Sequence, residues 1–148
     1  MDENQLRAFV EIVQHYFEQS SKRGAQVGSP YLGEPGSLPI FDYTGVIGIS
    51  GARRGCIYFT APTQMLRSLL LRLGESDVSD ANLADLVGEV ANTISGNARR
   101  TFGPDFGISV PVVINGSKQT IQMPNTTKSY VIPMCWQREE AALVVGVV

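Results

Sequence analysis

Residues 45–60 hold two short apolar runs, Gly45-Val-Ile-Gly-Ile-Ser-Gly51 and Gly55-Cys-Ile-Tyr-Phe-Thr60, separated by Ala52-Arg53-Arg54. Both runs are rich in β-branched and aromatic residues and are bounded by glycines, which is typical of strands. A connection as short as this one joins neighbouring antiparallel strands. The stretch therefore predicts an antiparallel hairpin, and with it a fold built on an antiparallel sheet.

Helical segments are predicted on both sides of this hairpin. Apolar residues at helical spacing indicate a first helix over residues 3–21. Pro62 begins a short helix that ends near Leu73, before a glycine suited to a C-terminal cap. Capping residues and a following Gly-Pro pair bracket a long helix over residues 79–102. Between the first helix and the hairpin, residues 24–39 collect glycine, proline and serine and predict a long loop.

Three more strands complete the pattern, over Ile108–Ile114, Ser129–Trp136 and Ala142–Val148. Pro111 and Pro133 lie inside two of them, which indicates edge positions or bulges. The order of elements predicts one α+β domain over residues 1–148, an antiparallel β-sheet with the two long helices packed on one face. A helix followed by a strand pair occurs twice, which hints at two similar halves.

The composition excludes several classes of function. Twelve basic and fourteen acidic residues give a net charge of −2, so neither nucleic acid nor an anionic membrane is an expected partner. The polar, acidic start of the chain differs from a signal peptide, and no apolar run could span a bilayer, so a cytoplasmic protein is expected. Cys56 and Cys135 are predicted to be free core thiols, with a disulfide between them as the alternative. With His15 as the only histidine, no metal site is expected.

The long helix over residues 79–102 has two contrasting faces. At about 100° per residue, one side gathers apolar residues that must face the core: Leu83, Leu86, Val87, Val90 and Ile94. The opposite side carries a stripe within about 60°, formed by Asp85, Glu89, Asn92 and Gly96. Asn92, Gly96, and the nearby Ser95, Asn97 and Gly88 are poor helix formers, each costing roughly 0.5–1 kcal/mol relative to alanine. A helix that keeps them on an exposed face is expected to use that face for contact.

The residue types on this stripe limit its chemistry. A carboxylate and an amide one turn apart form no nucleophile–base pair, since no Ser, Cys or His is placed to complete one. Asp85 and Glu89 are neighbours on one helix and cannot flank a sugar from opposite sides. Charge recognition by the carboxylates remains, together with orientation of a small polar molecule by the amide, which has both a donor and an acceptor.

The motif D-x-x-x-E-x-x-N over Asp85–Asn92, followed by I-S-G-N-A, resembles the CheX branch of the CheC/CheX/FliY chemotaxis phosphatases. The hairpin before it and Ile108-Ser-Val-Pro-Val-Val-Ile-Asn-Gly116 after it also resemble that family, from about Tyr43 to Gly116. This resemblance implies hydrolysis of the aspartyl phosphate of a CheY-like response regulator. CheC-type members carry a second E-x-x-N on the other long helix. Here that helix offers only Glu11-Ile-Val-Gln14 and Glu18-Gln-Ser-Ser21, so one active site per chain is predicted.

The same resemblance assigns expected roles to the stripe. Glu89 would pair with the regulator's active-site lysine, and Asn92 would aim a water in line with the phosphorus. Asp85 would support docking, and Gly96 would let the partner's backbone come close. Mg²⁺ is expected on the regulator, and the chain itself is expected to need no cofactor. The resemblance also implies a homodimer formed by pairing strand edges.

Two alternatives remain open at this point. One is a non-catalytic binding module of the same fold, which docks a response regulator or a flagellar-switch component. The other is an unrelated small-molecule-binding domain that uses the loop over residues 24–39. Arg53-Arg54 and Arg99-Arg100 are interpreted as solvated charges at a turn and a helix end. Contact with an acidic regulator surface is the alternative for both pairs.

Overall fold

A computed structural model describes residues 1–117, 121, 123 and 128–148 of the chain. Within them the chain forms three helices and eight strands. The helices are α1 (Glu3–Ser21), α2 (Thr63–Arg72) and α3 (Asp80–Phe102). The strands are β1 (Gln26–Val27), β2 (Tyr31–Leu32), β3 (Tyr43–Gly51), β4 (Gly55–Ala61), β5 (Phe106–Ile108), β6 (Val112–Asn115), β7 (Tyr130–Trp136) and β8 (Glu139–Val147). The predicted hairpin and the two long helices are confirmed.

All strand pairings in the sheet are antiparallel, in the order β1-β7-β8-β4-β3-β5. Two further short strands extend the two sides, because β2 also pairs with β7 and β6 also pairs with β3. The short strands that precede the β3–β4 hairpin thus pair with β7, and those that precede the β7–β8 hairpin pair with β3. Each half of the chain therefore completes the sheet of the other half, which gives the repeated pattern in the sequence a structural counterpart.

The helices pack on one face of the sheet, as predicted for this α+β fold. Their apolar sides share a single core with the sheet residues beneath them, among them Phe9, Phe17, Leu66, Val87, Ile94, Ile47, Phe59 and Leu143. A smaller cluster on the other face is built around Tyr58 and Val144. Residues 38–41 cover it, held by the Tyr58 hydroxyl, which donates to the Pro39 carbonyl oxygen at 2.8 Å. The helices, including α3 with its polar stripe, consequently occupy one side of the molecule.

The region predicted as one strand over Ile108–Ile114 contains two strands, β5 and β6. The prediction of one continuous strand was therefore wrong. Pro111 lies between them and has no N–H to donate to β3. Ser109 keeps this segment attached, because its N–H donates to the Gly48 carbonyl and its hydroxyl accepts from the Gly48 N–H, at 2.9 and 2.8 Å. The prediction that residues 24–39 are a loop was incomplete, since they contain β1 and β2.

The single tryptophan lies in the core, whereas the two cysteines predicted as core thiols are only partly buried. Trp136 is buried 5.9 Å from the Phe17 ring, and its indole N–H donates to the Arg23 carbonyl at 3.0 Å. Cys56 and Cys135 are free and half-buried. Burial raises the pKa of the Cys56 thiol to about 11, so this thiol stays protonated at neutral pH.

Gly45 sets how closely α3 approaches the sheet. A Cβ atom at this position would lie 2.6 Å from the Val87 carbonyl oxygen and 3.1 Å from the Ala91 Cβ. We predict that Gly45→Ala lowers the free energy of unfolding by about 1–3 kcal/mol, because α3 must move away from β3. Urea denaturation measures this loss. Gly48→Ala in the same strand is the control, since its Cβ would meet only ordinary contacts at 3.4 Å, and an equal loss in both variants would contradict the close approach of α3.

Candidate functional site

The helix that carries the stripe is fixed at both ends. At its start, the Ser79 hydroxyl accepts from the Asn82 N–H at 3.4 Å, and the Tyr43 hydroxyl donates to the Asp80 carboxylate at 3.0 Å. At its end, the Gly103 N–H donates to the Arg99 carbonyl at 2.8 Å. The predicted helix over residues 79–102 is confirmed to within one residue. These contacts fix where α3 begins and ends.

The two faces of α3 separate as the periodicity predicts. The apolar residues of the core side are all buried: Leu83, Leu86, Val87, Val90 and Ile94. Asp85, Glu89 and Asn92 are exposed on the opposite side, and Gly96 is half-buried in line with them. Among the described residues, the side chains of Asp85, Glu89 and Asn92 take part in none of the hydrogen bonds or ion pairs found. Their polar groups therefore remain available to a partner.

The poor helix formers of α3 divide into two groups. Ser95 is fully buried and does not belong to the exposed face, which corrects the interpretation that grouped it with Asn92. Gly88 is also buried, and a Cβ there would lie 3.1 Å from the Val113 side chain, so packing of β6 explains this glycine. Gly96 differs, because a Cβ there would meet nothing within 4 Å. Packing within the described chain gives no reason for a glycine at position 96.

Tyr16 of α1 lies beside the stripe, and the sequence did not indicate it. Burial raises the pKa of the Tyr16 hydroxyl; the Ser20 hydroxyl lowers this pKa, and the nearby negative charge of Glu89 raises it. The two helices run antiparallel, since the ring of Phe9, in the N-terminal half of α1, is 5.5 Å from that of Phe102 at the C-terminal end of α3. In the sequence Tyr16 reads only as part of the apolar side of α1. Its proximity to Glu89 depends on how the two helices pack.

The other flank of the stripe is apolar. Pro111 and Val113 lie against Gly88, one residue before Glu89, and Val113 keeps 37% of its surface exposed. Further along this edge Val110 and Val112 are 80% and 60% exposed. The stripe is therefore bordered on this side by exposed apolar surface.

Two cavities of about 450 and 620 Å³ border the segment that contains β1 and β2. The charged groups in the larger one, Glu3 and Arg7, are already paired with each other at 3.3 Å. Among the residues that the structure covers, no group of three or more His, Cys, Asp or Glu residues could hold a metal ion. In the same part of the chain, no helix is long and apolar enough to cross a bilayer.

The candidate site is thus an exposed face of α3, with a carboxylate and an amide that take part in no hydrogen bond or ion pair found among the described residues. The model of the CheX family, described as chemotaxis phosphatase CheX, matches residues 43–135, which include α3. The chain therefore belongs to the CheX family of chemotaxis phosphatases. A search of the curated proteins finds no match.

Solved structures share the fold of this chain. The chain is similar to a CheC-like superfamily protein from Shewanella sp. PV-4, with 21% identity and a TM-score of 0.87 over 100% of this chain and 99% of that one. It is similar to the chemotaxis protein CheX from Desulfovibrio desulfuricans, with 25% identity and a TM-score of 0.84 over 98% of both chains. It also resembles CheX from Borrelia burgdorferi, solved as a CheX–CheY–BeF₃–Mg²⁺ complex, with 18% identity and a TM-score of 0.79 over 97% of both chains.

Proposed function

We propose that this chain hydrolyses the aspartyl phosphate of a CheY-like response regulator that docks on the exposed stripe of α3. The observation that carries the proposal is the pair Glu89 and Asn92, exposed one turn apart and free of internal hydrogen bonds among the described residues. Membership of the CheX family supports it. The complex of the Borrelia relative with CheY supports the choice of partner.

Glu89 positions the regulator in this proposal. Its carboxylate pairs with the lysine at the regulator's phosphorylation site, which fixes the docked pose and contributes a charge-assisted hydrogen bond. Asp85 lies one turn before it on the same stripe and adds negative charge at the docking surface. The Tyr16 hydroxyl lies on the α1 side of Glu89 and stays protonated, so it adds no charge that would repel the carboxylate.

Asn92 acts on the water that attacks the phosphorus. Its amide has both a donor and an acceptor, so it holds a water molecule in one direction. An acyl phosphate is already reactive, and positioning the water in line removes much of the remaining barrier. The side chain points into solvent from the middle of a rigid helix, so a docked regulator receives it in a fixed direction.

The metal required for this chemistry belongs to the regulator. Mg²⁺ is held by carboxylates and phosphate oxygens in such sites and neutralises charge on the phosphoryl group. We propose that the chain contributes no cofactor of its own, only Glu89 and Asn92. We further propose that it works in the cytoplasm, where such regulators are found, and as a homodimer formed by pairing of sheet edges.

The alternative of a docking module without hydrolysis makes a different prediction from the same surface. The test is the decay of each phosphorylated CheY-like regulator from the same organism, with and without the purified protein. Faster decay of at least one regulator supports the phosphatase. Binding of a regulator whose decay stays at its intrinsic rate would assign the docking function instead.

Gly96 provides a separate test of the docking surface. Because its Cβ position is open, we predict that Gly96→Ala raises the free energy of unfolding by about 0.5–1 kcal/mol, the usual gain of alanine over glycine in a helix. The same substitution should weaken regulator binding several-fold, since the added methyl group would keep the partner's backbone away. Urea denaturation and a binding titration measure the two effects. A more stable variant that binds the regulator as tightly as wild type would show that position 96 lies outside the contact.

A further inference from the structure

A shallow recess lies at the C-terminal half of α3 and joins the stripe at Gly96. Its volume is about 400 Å³, and it is lined by Gly96, Arg99, Arg100, Gly103, Pro104 and Ile108. The lining is small or apolar apart from the two arginines. At about 100° per residue, Arg99 and Arg100 lie about 60° to one side of Gly96 and about 40° to the other. The two cationic side chains therefore border the recess on both sides.

Neither arginine is neutralised by the part of the chain that the structure describes. Both are exposed, and the ion pair found there joins Arg7 to Glu3 instead. Arginines in the last turn of a helix interact favourably with the helix dipole, which accounts for their charge. The dipole does not account for the recess between them or for Gly96, whose Cβ position is open.

The charges along the exposed side of α3 have a direction. Asp85 and Glu89 are acidic, Asn92 is neutral, and Arg99 and Arg100 are basic. At 1.5 Å per residue, Glu89 and Arg99 are separated by about 15 Å along the helix axis. A partner that places a lysine at Glu89 and a carboxylate at the recess fits in one orientation. The reversed orientation brings like charges together, which costs several kcal/mol in protein interfaces.

We propose that this recess receives an acidic side chain of the regulator, bound by Arg99 and Arg100, and that this contact selects the regulator and fixes its orientation over Asn92. The inference rests on the proposed function, because it concerns the same docked partner. The two arginines are positioning and specificity residues, distant from the reacting phosphorus. Their effect is therefore expected in the affinity for the regulator.

The test uses the full chain and a regulator activated by beryllofluoride and Mg²⁺, which mimic the phosphoryl group without being hydrolysed. Arg99→Glu/Arg100→Glu should weaken binding by about tenfold or more, and Arg99→Gln/Arg100→Gln by less. Raising the salt concentration from about 0.05 to 0.3 M should weaken wild-type binding more than that of the charge-reversed protein, because screening removes the same attraction. Arg138→Glu is the matched control, since Arg138 is exposed in the β7–β8 turn, at the opposite end of the sheet from Ile108 of the recess.

Each result separates this inference from the proposed function. Weaker binding by the Arg99/Arg100 variants with an unaffected Arg138→Glu supports the recess, whether or not the regulator is hydrolysed. Unchanged binding, or an equal loss in Arg138→Glu, overturns it even if hydrolysis is rapid. Failure of the wild-type protein to bind any regulator overturns both proposals. Thermal denaturation shows whether the charge-reversed protein is folded. If it is unfolded, the binding test rests on the Arg99→Gln/Arg100→Gln variant.

Discussion

Asn92→Ala should slow the catalysed hydrolysis of a phosphorylated regulator by about 100-fold or more, which corresponds to about 2.7 kcal/mol of activation free energy. The reason is that alanine removes both the donor and the acceptor that orient the attacking water. Affinity for the regulator should change little, since the proposed docking contacts come from Glu89 and the rest of the stripe. Single-turnover decay at saturating protein measures the rate, and titration with the beryllofluoride-activated regulator measures the affinity.

Asn97→Ala is the matched control for this substitution. Asn97 is in the same helix and is half-buried on a different side, about 140° from Asn92. It should retain wild-type rates. If Asn92→Ala hydrolyses the regulator as fast as wild type, or if Asn97→Ala loses as much activity, the water-orienting role of Asn92 is wrong.

Glu89→Lys should weaken binding of the regulator by about 100-fold, since breaking a charge pair and replacing it by repulsion costs roughly 2–5 kcal/mol at a protein interface. The helix itself should tolerate the change, because Glu89 is exposed and lysine is a good helix former. Glu89→Gln removes the charge with little change of shape and should give an intermediate loss. A binding titration, checked by thermal denaturation, gives both values.

Glu11→Lys tests whether the effect is specific to α3. Glu11 is exposed on the other long helix and begins Glu11-Ile-Val-Gln14, the segment that most resembles a second motif. The prediction of one site per chain requires wild-type binding and activity from this variant. Equal losses from Glu11→Lys and Glu89→Lys would indicate that each long helix carries a site.

Local sequence signals predicted the elements that position the site. Ser79 and Gly103 bracket α3 because capping groups and helix-ending glycines act over one turn. The 3.6-residue period alone separates the buried side of α3 from Asp85, Glu89 and Asn92. The glycine-bounded runs over residues 45–60 predicted β3 and β4 for the same reason, since their pattern is contained in the residues themselves.

Contacts between distant segments were not predictable in this way. The attachment of the segment between β5 and β6 depends on how Ser109 bonds Gly48, about sixty residues earlier, and the pairing of β1 and β2 with β7 spans about a hundred residues. The role of Gly88 requires Val113 beside it, and the proximity of Tyr16 to Glu89 requires the packing of α1 on α3. No local period encodes such contacts, so the surroundings of the stripe emerge only from the fold.

Hydrolysis of an aspartyl phosphate by the stripe of α3 is tested most directly by measuring phosphate release from a regulator present in excess over this protein. With about one protein molecule to twenty regulators, a catalyst must turn over repeatedly to release phosphate from the whole pool. A docking module would not accelerate this release. We predict accelerated release of phosphate from the whole regulator pool by wild type, and release at the intrinsic rate with Asn92→Ala. Release at the intrinsic rate with wild type, from a regulator that binds the stripe, would contradict the account.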